Sequence, residues 1–326
     1  MFEKAALMWL YAEHPVHAGT GSGVGAIDLP IQRERVSNWP IIQPSGLKGA
    51  LRELFDKKAK QAQSKDPDFE KKIAAVFGPE TKADDLHSGA VSFTEARLLL
   101  FPVRSLRGTF AYVTCPLALE RLGRDLETIK ACGGTDLGTI NNHKLPAINH
   151  TDEGKVLVAA NAQNHPDSLL VITTTGQNPQ AQVVLEEFTY TAQAKAEVGN
   201  LAQWLKKAAG SLPWLDQANL AKRLAVVTDN VFKDFVEMAT EVITRNKIDD
   251  ATGTVAEGAL WTEEHLPRET VLYAPVFAAP SFQAKNQVLA NAQDVLKFLT
   301  DNGGGYLWVG GNTTVGRGLV KVAFTG

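Results

Sequence analysis

Four glycines at positions 19, 21, 23 and 25, followed by an aspartate at 28, are the residues of this sequence best spaced to act on an anionic ligand. The run is His17-Ala18-Gly19-Thr20-Gly21-Ser22-Gly23-Val24-Gly25-Ala26-Ile27-Asp28. Glycine has no Cβ, so its backbone approaches a ligand closely and its N–H groups suit an anion. An acid at the end of such a loop has two uses against a phosphodiester. It can place a metal, or it can take a proton from a ribose hydroxyl. The glycine spacing excludes a dinucleotide-binding fingerprint, and no Gly-Lys-Ser/Thr closes a P-loop. No histidine or second carboxylate stands at a diagnostic spacing from Asp28. Surface turns and loop aspartates also arise without any ligand, so the residues alone leave both readings open.

Two further stretches suit an anion. Ser45-Gly46-Leu47-Lys48-Gly49-Ala50-Leu51-Arg52 opens a helix whose Leu47, Ala50, Leu51, Leu54 and Phe55 form an apolar stripe. Ser45 is the expected N-cap, with Pro44 just outside. A helix N-terminus exposes N–H groups and the positive end of the macrodipole, and Lys48 and Arg52 lie off the stripe. Residues 31–60 carry seven Lys/Arg against three acids, a local +4, which a plain solvated helix face would also explain. The third stretch, Gly310-Gly311-Asn312-Thr313-Thr314-Val315-Gly316-Arg317-Gly318, reads equally as a glycine-rich hairpin loop. His143, His150 and Cys132 lack metal-ligand spacing and read as polar loop residues. No Gly-x-Ser-x-Gly elbow is present.

The elements that must position these residues mix irregularly. Strand-like runs are Ala5–Tyr11, Ala90–Phe93, Phe110–Thr114, Val156–Ala159, Leu169–Thr173, Val183–Tyr190, Leu224–Val227, Val271–Phe277, Tyr306–Val309 and Leu319–Phe324. Besides the helix after Ser45, helical periods mark Glu197–Ala209, a segment after Asp229, and Ala284–Thr300, ended by Gly303-Gly304-Gly305. Without a regular βαβ period the fold class is α+β. The polar stretches 58–88 and 131–168 read as surface insertions on a single domain covering 1–326.

The 326 residues can bury a full core, and 44% hydrophobic with 21% charged residues is ordinary for a globular protein. A net charge of −3 excludes coating nucleic acid by charge alone. No apolar run is long enough to span a bilayer, and the start lacks signal-peptide flanks. Cys115 and Cys132 make no disulfide framework, which fits a cytoplasmic location.

Taken together, several of these stretches resemble one family. His17–Ser22 with Asp28-Leu29-Pro30-Ile31-Gln32-Arg33-Glu34 looks like the hallmark of Cmr-type backbone subunits of type III-B CRISPR effector complexes, within the RAMP superfamily. Pro44–Arg52 is similar to the family's Ser-x-x-Lys-Gly helix, and Gly316-Arg317-Gly318 to its glycine loop. Phe101–Ser105, Phe110–Pro116 and Gly258–Glu264 match as well, so the resemblance runs from near residue 7 to the C-terminus.

The resemblance implies a ferredoxin-like (RRM-related) RAMP core with large insertions and a protruding β-hairpin thumb at about residues 244–270. The Asp-Ala-Thr-Gly centre of that thumb is also a credible turn on its own residues. It implies partners: guide (CRISPR) RNA, target RNA, copies of the chain in a filament, and other Cmr-type subunits, with no membrane. It implies an endoribonuclease that uses a divalent metal, magnesium being the expected ion, with Asp28 as catalytic acid and best candidate metal ligand. The implied RNA-binding residues are His17, Gly19, Gly21, Arg33, Ser45, Lys48, Arg52, Gly316, Arg317 and Gly318. One departure stands out. Relatives often carry an aromatic near Trp261 where this chain has Thr262 and His265, which leaves accessory roles for Glu263, Glu264 and His265 open. Two other readings compete: a purely structural guide-binding subunit, and a guide-precursor processing ribonuclease, for which His17 has no matching base.

Overall fold

The first strand shows how the chain is layered. β1 (Lys4–Ala12) is apolar almost throughout. Its Ala6, Met8 and Leu10 enter one core, whereas Ala5, Leu7, Trp9 and Tyr11 enter another on the opposite face. Successive side chains on a strand point to opposite faces, so such a run requires cover on both sides. The computed structural model describes residues 2–23, 25–61, 66–80, 86–175, 177–210, 212, 219–282 and 288–326.

The remaining strands, in chain order, are β2 (Ile41–Ile42), β3 (Val91–Phe93), β4 (Ala96–Arg104), β5 (Phe110–Thr114), β6 (Thr139–Ile140) and β7 (His143–Lys144). Then come β8 (Lys155–Ala159), β9 (Val171–Thr173), β10 (Ala181–Leu185), β11 (Phe188–Lys195) and β12 (Leu224–Val226). The last are β13 (Glu241–Ile248), β14 (Val255–His265), β15 (Val271–Ala278), β16 (Gly305–Trp308) and β17 (Leu319–Thr325). One mixed sheet runs β16-β17-β1-β15-β4-β5-β12-β8-β11-β10-β9, with β2 beside β4 and β3 beside β15. Its β5–β12 and β8–β11 pairs are parallel, and β1 is antiparallel to both β15 and β17. This is an α+β arrangement.

Helices cover both faces. On one lie α1 (Pro44–Lys60) and α2 (Phe69–Phe77), whose Phe55 and Phe69 pack with Phe298 of a C-terminal helix while Phe77 packs on Phe55. On the other, α3 (Pro116–Ala131) and α4 (Ala196–Ala208) bury Leu122, Leu126, Val198 and Trp204 against Trp9 and Tyr112. α5 (Leu220–Arg223) and α6 (Asp229–Met238) flank β12, and α7 is Ala292–Gly303. β13 and β14 stand apart as a two-stranded antiparallel sheet. Its turn is held by Asp249, whose Oδ1 accepts from the N–H groups of Ala251 and Thr252, each at 2.9 Å, while Gly253 takes φ +68°.

Four sequence expectations change. Ser45 is not the cap: Gln43 holds the cap position in extended backbone and Pro44 opens the helix, as its missing N–H allows. Val183–Tyr190 is not one strand but the β10–β11 hairpin, turned at Glu186 with φ +49°. The stretch 58–88 is not all surface, because α2 sends Phe69, Ile73, Val76 and Phe77 into the core. The C-terminal helix starts at Ala292, capped by Asn291; the expected start at Ala284 lies outside the described residues. In addition, β4 and α3 were not expected as a strand and a helix.

Candidate functional site

After β1 the chain runs back under the C-terminal loop. The backbone of Val16 bridges Leu266 and that of His17 bridges Gly311. The Gly311 N–H donates to the His17 carbonyl at 2.9 Å, and the Gly318 N–H to that of Pro15 at 2.8 Å. The glycines are steric necessities here. A side chain on Gly310 (φ +82°) would stand 2.2 Å from the His17 oxygen, and one on Gly318 (φ +85°) 2.3 Å from that of Val309. The 310–318 loop therefore backs His17 directly. His17 is itself buried, its Nδ1 2.7 Å from the Glu264 carbonyl oxygen, and its ring leaves no room for a side chain on Gly19. Gly21 and Gly316, both at positive φ, are exposed with open space before them.

Gln32, which carried no sequence expectation, joins this loop to the helix. Its Nε2 donates to the Gly19 carbonyl at 3.1 Å, and its Oε1 accepts from the Gln43 N–H at 2.8 Å. The α1 N-terminus, with exposed Ser45 and no side-chain cap, is thus tied to the glycine loop. Lys48 is half-buried on the same helix and has no acid partner among the described residues. Burial, then the neighbouring Arg52 charge, push its ammonium pKa down. Arg52 lies 3.9 Å from Asp56.

The two other cations expected on RNA are engaged within the chain. Arg33 donates to Glu264 Oε1 at 2.5 Å, to the Asn38 carbonyl at 2.8 Å and to that of Val236 at 3.1 Å. Arg317 pairs with Glu241 at 2.8 Å. Their guanidinium groups fasten the fold around β13 and β14, because the acids that match them stand there.

The paired glutamates sit at the root of that hairpin. Glu264 is 2% exposed, and besides Arg33 it accepts from the Thr240 hydroxyl at 2.8 Å and the Ile31 N–H at 3.0 Å. Glu263 accepts from Trp261 Nε1 at 2.9 Å, Arg245 Nε at 3.0 Å and Asn312 Nδ2 at 2.8 Å. Burial raises its pKa, but the bonds from Trp261 and Arg245 outweigh that and leave it below the usual carboxylate range. The two acids latch the 28–33 segment, the hairpin and the C-terminal loop together. His265 is fully buried, and neither ring nitrogen has a hydrogen-bond partner among the described residues. Burial, then Arg317 and His17, depress its pKa.

Asp28 differs from all of these. Leu29 donates to the Thr262 carbonyl and accepts from the Glu264 N–H, each at 3.0 Å, so the segment lies alongside β14. That places Asp28 on Thr262: its Oδ2 accepts from the Thr262 N–H at 2.7 Å and from the hydroxyl at 2.9 Å. These two bonds, the backbone one first, hold the carboxyl below its ordinary range. The side chain is exposed, and Oδ1 takes no bond among the described residues. A hard divalent ion is commonly held by one or two carboxylates together with substrate phosphates. Asp28 fits such an ion as a single ligand. No group of three His, Cys, Asp or Glu among the described residues would complete a protein-only site. Thr262, the departure from an aromatic noted in the sequence, is the residue that positions Asp28.

The model of the RAMP superfamily matches residues 9–321. A Pyrococcus furiosus protein described as "CRISPR system Cmr endoribonuclease Cmr4" is 36% identical over 322 residues, covering 98% of this chain and 95% of that protein. "CRISPR system CMR subunit Cmr4" of Saccharolobus solfataricus is 27% identical over 319 residues, covering 94% and 92%. Among solved structures, "oligomeric Cmr4 from Pyrococcus furiosus" superposes with a TM-score of 0.68 at 29% identity, covering 99% of this chain and 98% of that one.

Proposed function

The chain belongs to the RAMP superfamily, and from that premise we propose that it is a backbone subunit of a type III-B CRISPR effector complex. In this reading it binds guide RNA, assembles with copies of itself and other Cmr-type subunits, and cuts complementary target RNA at Asp28. One observation carries the reading. Asp28 is an exposed, ionised carboxylate held by Thr262 on one oxygen, with the other taking no bond from another described residue, beside the glycine loop.

The chain's own groups divide the work. The α1 N-terminus, Ser45 and Lys48 hold phosphate, with Gly21 and Gly316 giving close backbone approach. Arg52 adds charge on the same helix. Contacts of this kind grip the backbone, and base pairing with the guide reads sequence. His17, Gly19 and Gly318 serve by shaping the loop, and Arg33, Arg317, Glu263 and Glu264 by latching it. A divalent ion, magnesium the expected one, would take Asp28 as its protein ligand and neutralise charge on the phosphodiester. Asp28 itself holds the ion or accepts a proton from a ribose hydroxyl.

The purely structural alternative draws on the lack, among the described residues, of a second free acid beside Asp28. The guide-processing alternative is disfavoured because His17 is buried and its Nδ1 faces the Glu264 carbonyl. The test is cleavage of labelled complementary RNA by the reconstituted complex. Asp28→Asn and removal of divalent metal with a chelator are each expected to abolish most cutting while leaving target binding intact. Cutting that survives both would favour the structural alternative.

A further inference from the structure

From the edge strand of the sheet we infer a base-stacking subsite for single-stranded RNA, built by Tyr306 and Trp308 with Lys321; it rests on the RNA-binding reading above. β16 is the terminal strand of the sheet. Its Leu307 is buried, whereas Tyr306 and Trp308 are 56% and 43% exposed. Residues two apart on a strand share a face, so both rings project from the same side. Among the described residues neither ring packs on another aromatic ring, and neither the tyrosine hydroxyl nor the indole N–H has a hydrogen-bond partner. Lys321 is the direct cross-strand partner of Tyr306, and its ammonium lies 4.3 Å from the centre of that ring. No acid pairs with it among the described residues.

Three features select the ligand. Alternate residues on a strand are about 6.7 Å apart, and a planar base needs contacts of about 3.5 Å on each face. Two rings on alternate residues are thus anchored about one base's thickness apart. The unpaired Lys321 ammonium supplies the charge that the accompanying phosphate requires. The strand also leads straight into the loop that backs His17: Trp308 is followed by Val309, Gly310 and Gly311, and Gly311 bonds the His17 carbonyl. The subsite therefore continues the glycine-loop track. A second copy of the chain is the competing occupant, but a four-residue edge offers few backbone groups for strand addition and would bury the Lys321 charge unpaired.

The test uses the full chain and a short labelled oligoadenylate, with affinity measured by anisotropy over a range of salt. Trp308→Ala and Tyr306→Ala are each expected to weaken binding about 5- to 100-fold with an unchanged salt slope, as loss of a stacked base does. Trp308→Phe keeps most of the affinity, which separates a missing ring from a damaged fold. Lys321→Ala lowers the salt slope by about one. Ring variants that bind like the parent, while Lys48→Ala weakens binding, would overturn the subsite and leave the RNA-binding reading standing. No RNA binding by the parent chain would overturn both. Lost self-association with unchanged RNA affinity would overturn the subsite in favour of a contact between copies.

Discussion

Asp28 and Glu264 are carboxylates fastened to the same strand, yet their surroundings divide them. Glu264 is closed in, with a guanidinium, a hydroxyl and a backbone N–H sharing its two oxygens. Asp28 is open to solvent, with both Thr262 donors on one oxygen and the other without a bond from another described residue. The first is buried and bonded on both oxygens, whereas the second keeps one oxygen turned to solvent. Saturation and exposure, more than residue type or motif membership, decide which acid is available for chemistry. The same contrast sorts the cations: Arg33 and Arg317 hold the fold, and Lys48 remains free for phosphate.

The comparison breaks most visibly at the latch. Glu264→Ala leaves the Arg33 guanidinium largely buried and unpaired, which costs about 3–5 kcal/mol. Denaturant unfolding should register that loss. A change below about 1 kcal/mol would mean that the latch is not what holds the loop to the hairpin.

His265 sharpens the buried side of the contrast in the opposite direction. A buried polar group without a partner is a cost, so His265→Phe is expected to stabilise the chain by about 1 kcal/mol. Its pH signature has a definite sign. The charged groups facing His265 are Arg317, His17, Glu241 and Glu263, and its net pKa lies below the ordinary histidine value. The folded state therefore binds fewer protons than the unfolded one, and stability falls as pH drops from about 6.5 through the folded pKa. In His265→Phe that component of the acid destabilisation should disappear; an unchanged acid profile would contradict the assignment.

On the exposed side, Thr262→Val removes the hydroxyl donor to Asp28 and keeps the backbone one. The carboxyl pKa should rise back toward its ordinary range, moving the acid limb of the cleavage profile to higher pH. Affinity for target RNA should not change. A profile superimposable on the parent's would detach Thr262 from the chemistry. The smallest expected effect on stability is at the hairpin tip, where side chains from Asn246 to Glu257 are exposed or half-buried. Replacing residues 246–256 with a short Gly/Ser turn should leave the melting temperature nearly unchanged while altering cut positions or assembly.

How much of this was legible follows from how local each feature is. The glycine loop, Asp28 and the start of α1 are contiguous, so their types and spacing could be read directly. The latch could not, because Glu264 and its partners Ile31 and Arg33 lie more than 200 positions apart and only the folded chain pairs them. Thr262 was visible as a departure from an aromatic, but nothing in its neighbourhood pointed to Asp28. β4 went unread because Leu98–Val103 is an apolar run buried on both faces, without alternation and interrupted by Pro102. α3 carried its stripe of Ala118, Leu119, Leu122, Leu126 and Ile129 in plain view. Gly123 and six charged residues within the helix masked the period.

The central claim is that availability separates Asp28 from Glu264, and one experiment addresses it directly. Complexes reconstituted with Asp28→Asn or with Glu264→Gln are compared with the parent for subunit unfolding, target binding and cutting of labelled complementary RNA. Asp28→Asn should unfold and bind like the parent while cutting falls about 10²-fold or more, as expected for loss of an acid–base or metal-holding group. Glu264→Gln should lose stability first, with cutting reduced only as far as folding is. Undiminished cutting by Asp28→Asn, or loss of cutting by a fully folded Glu264→Gln, would contradict the account.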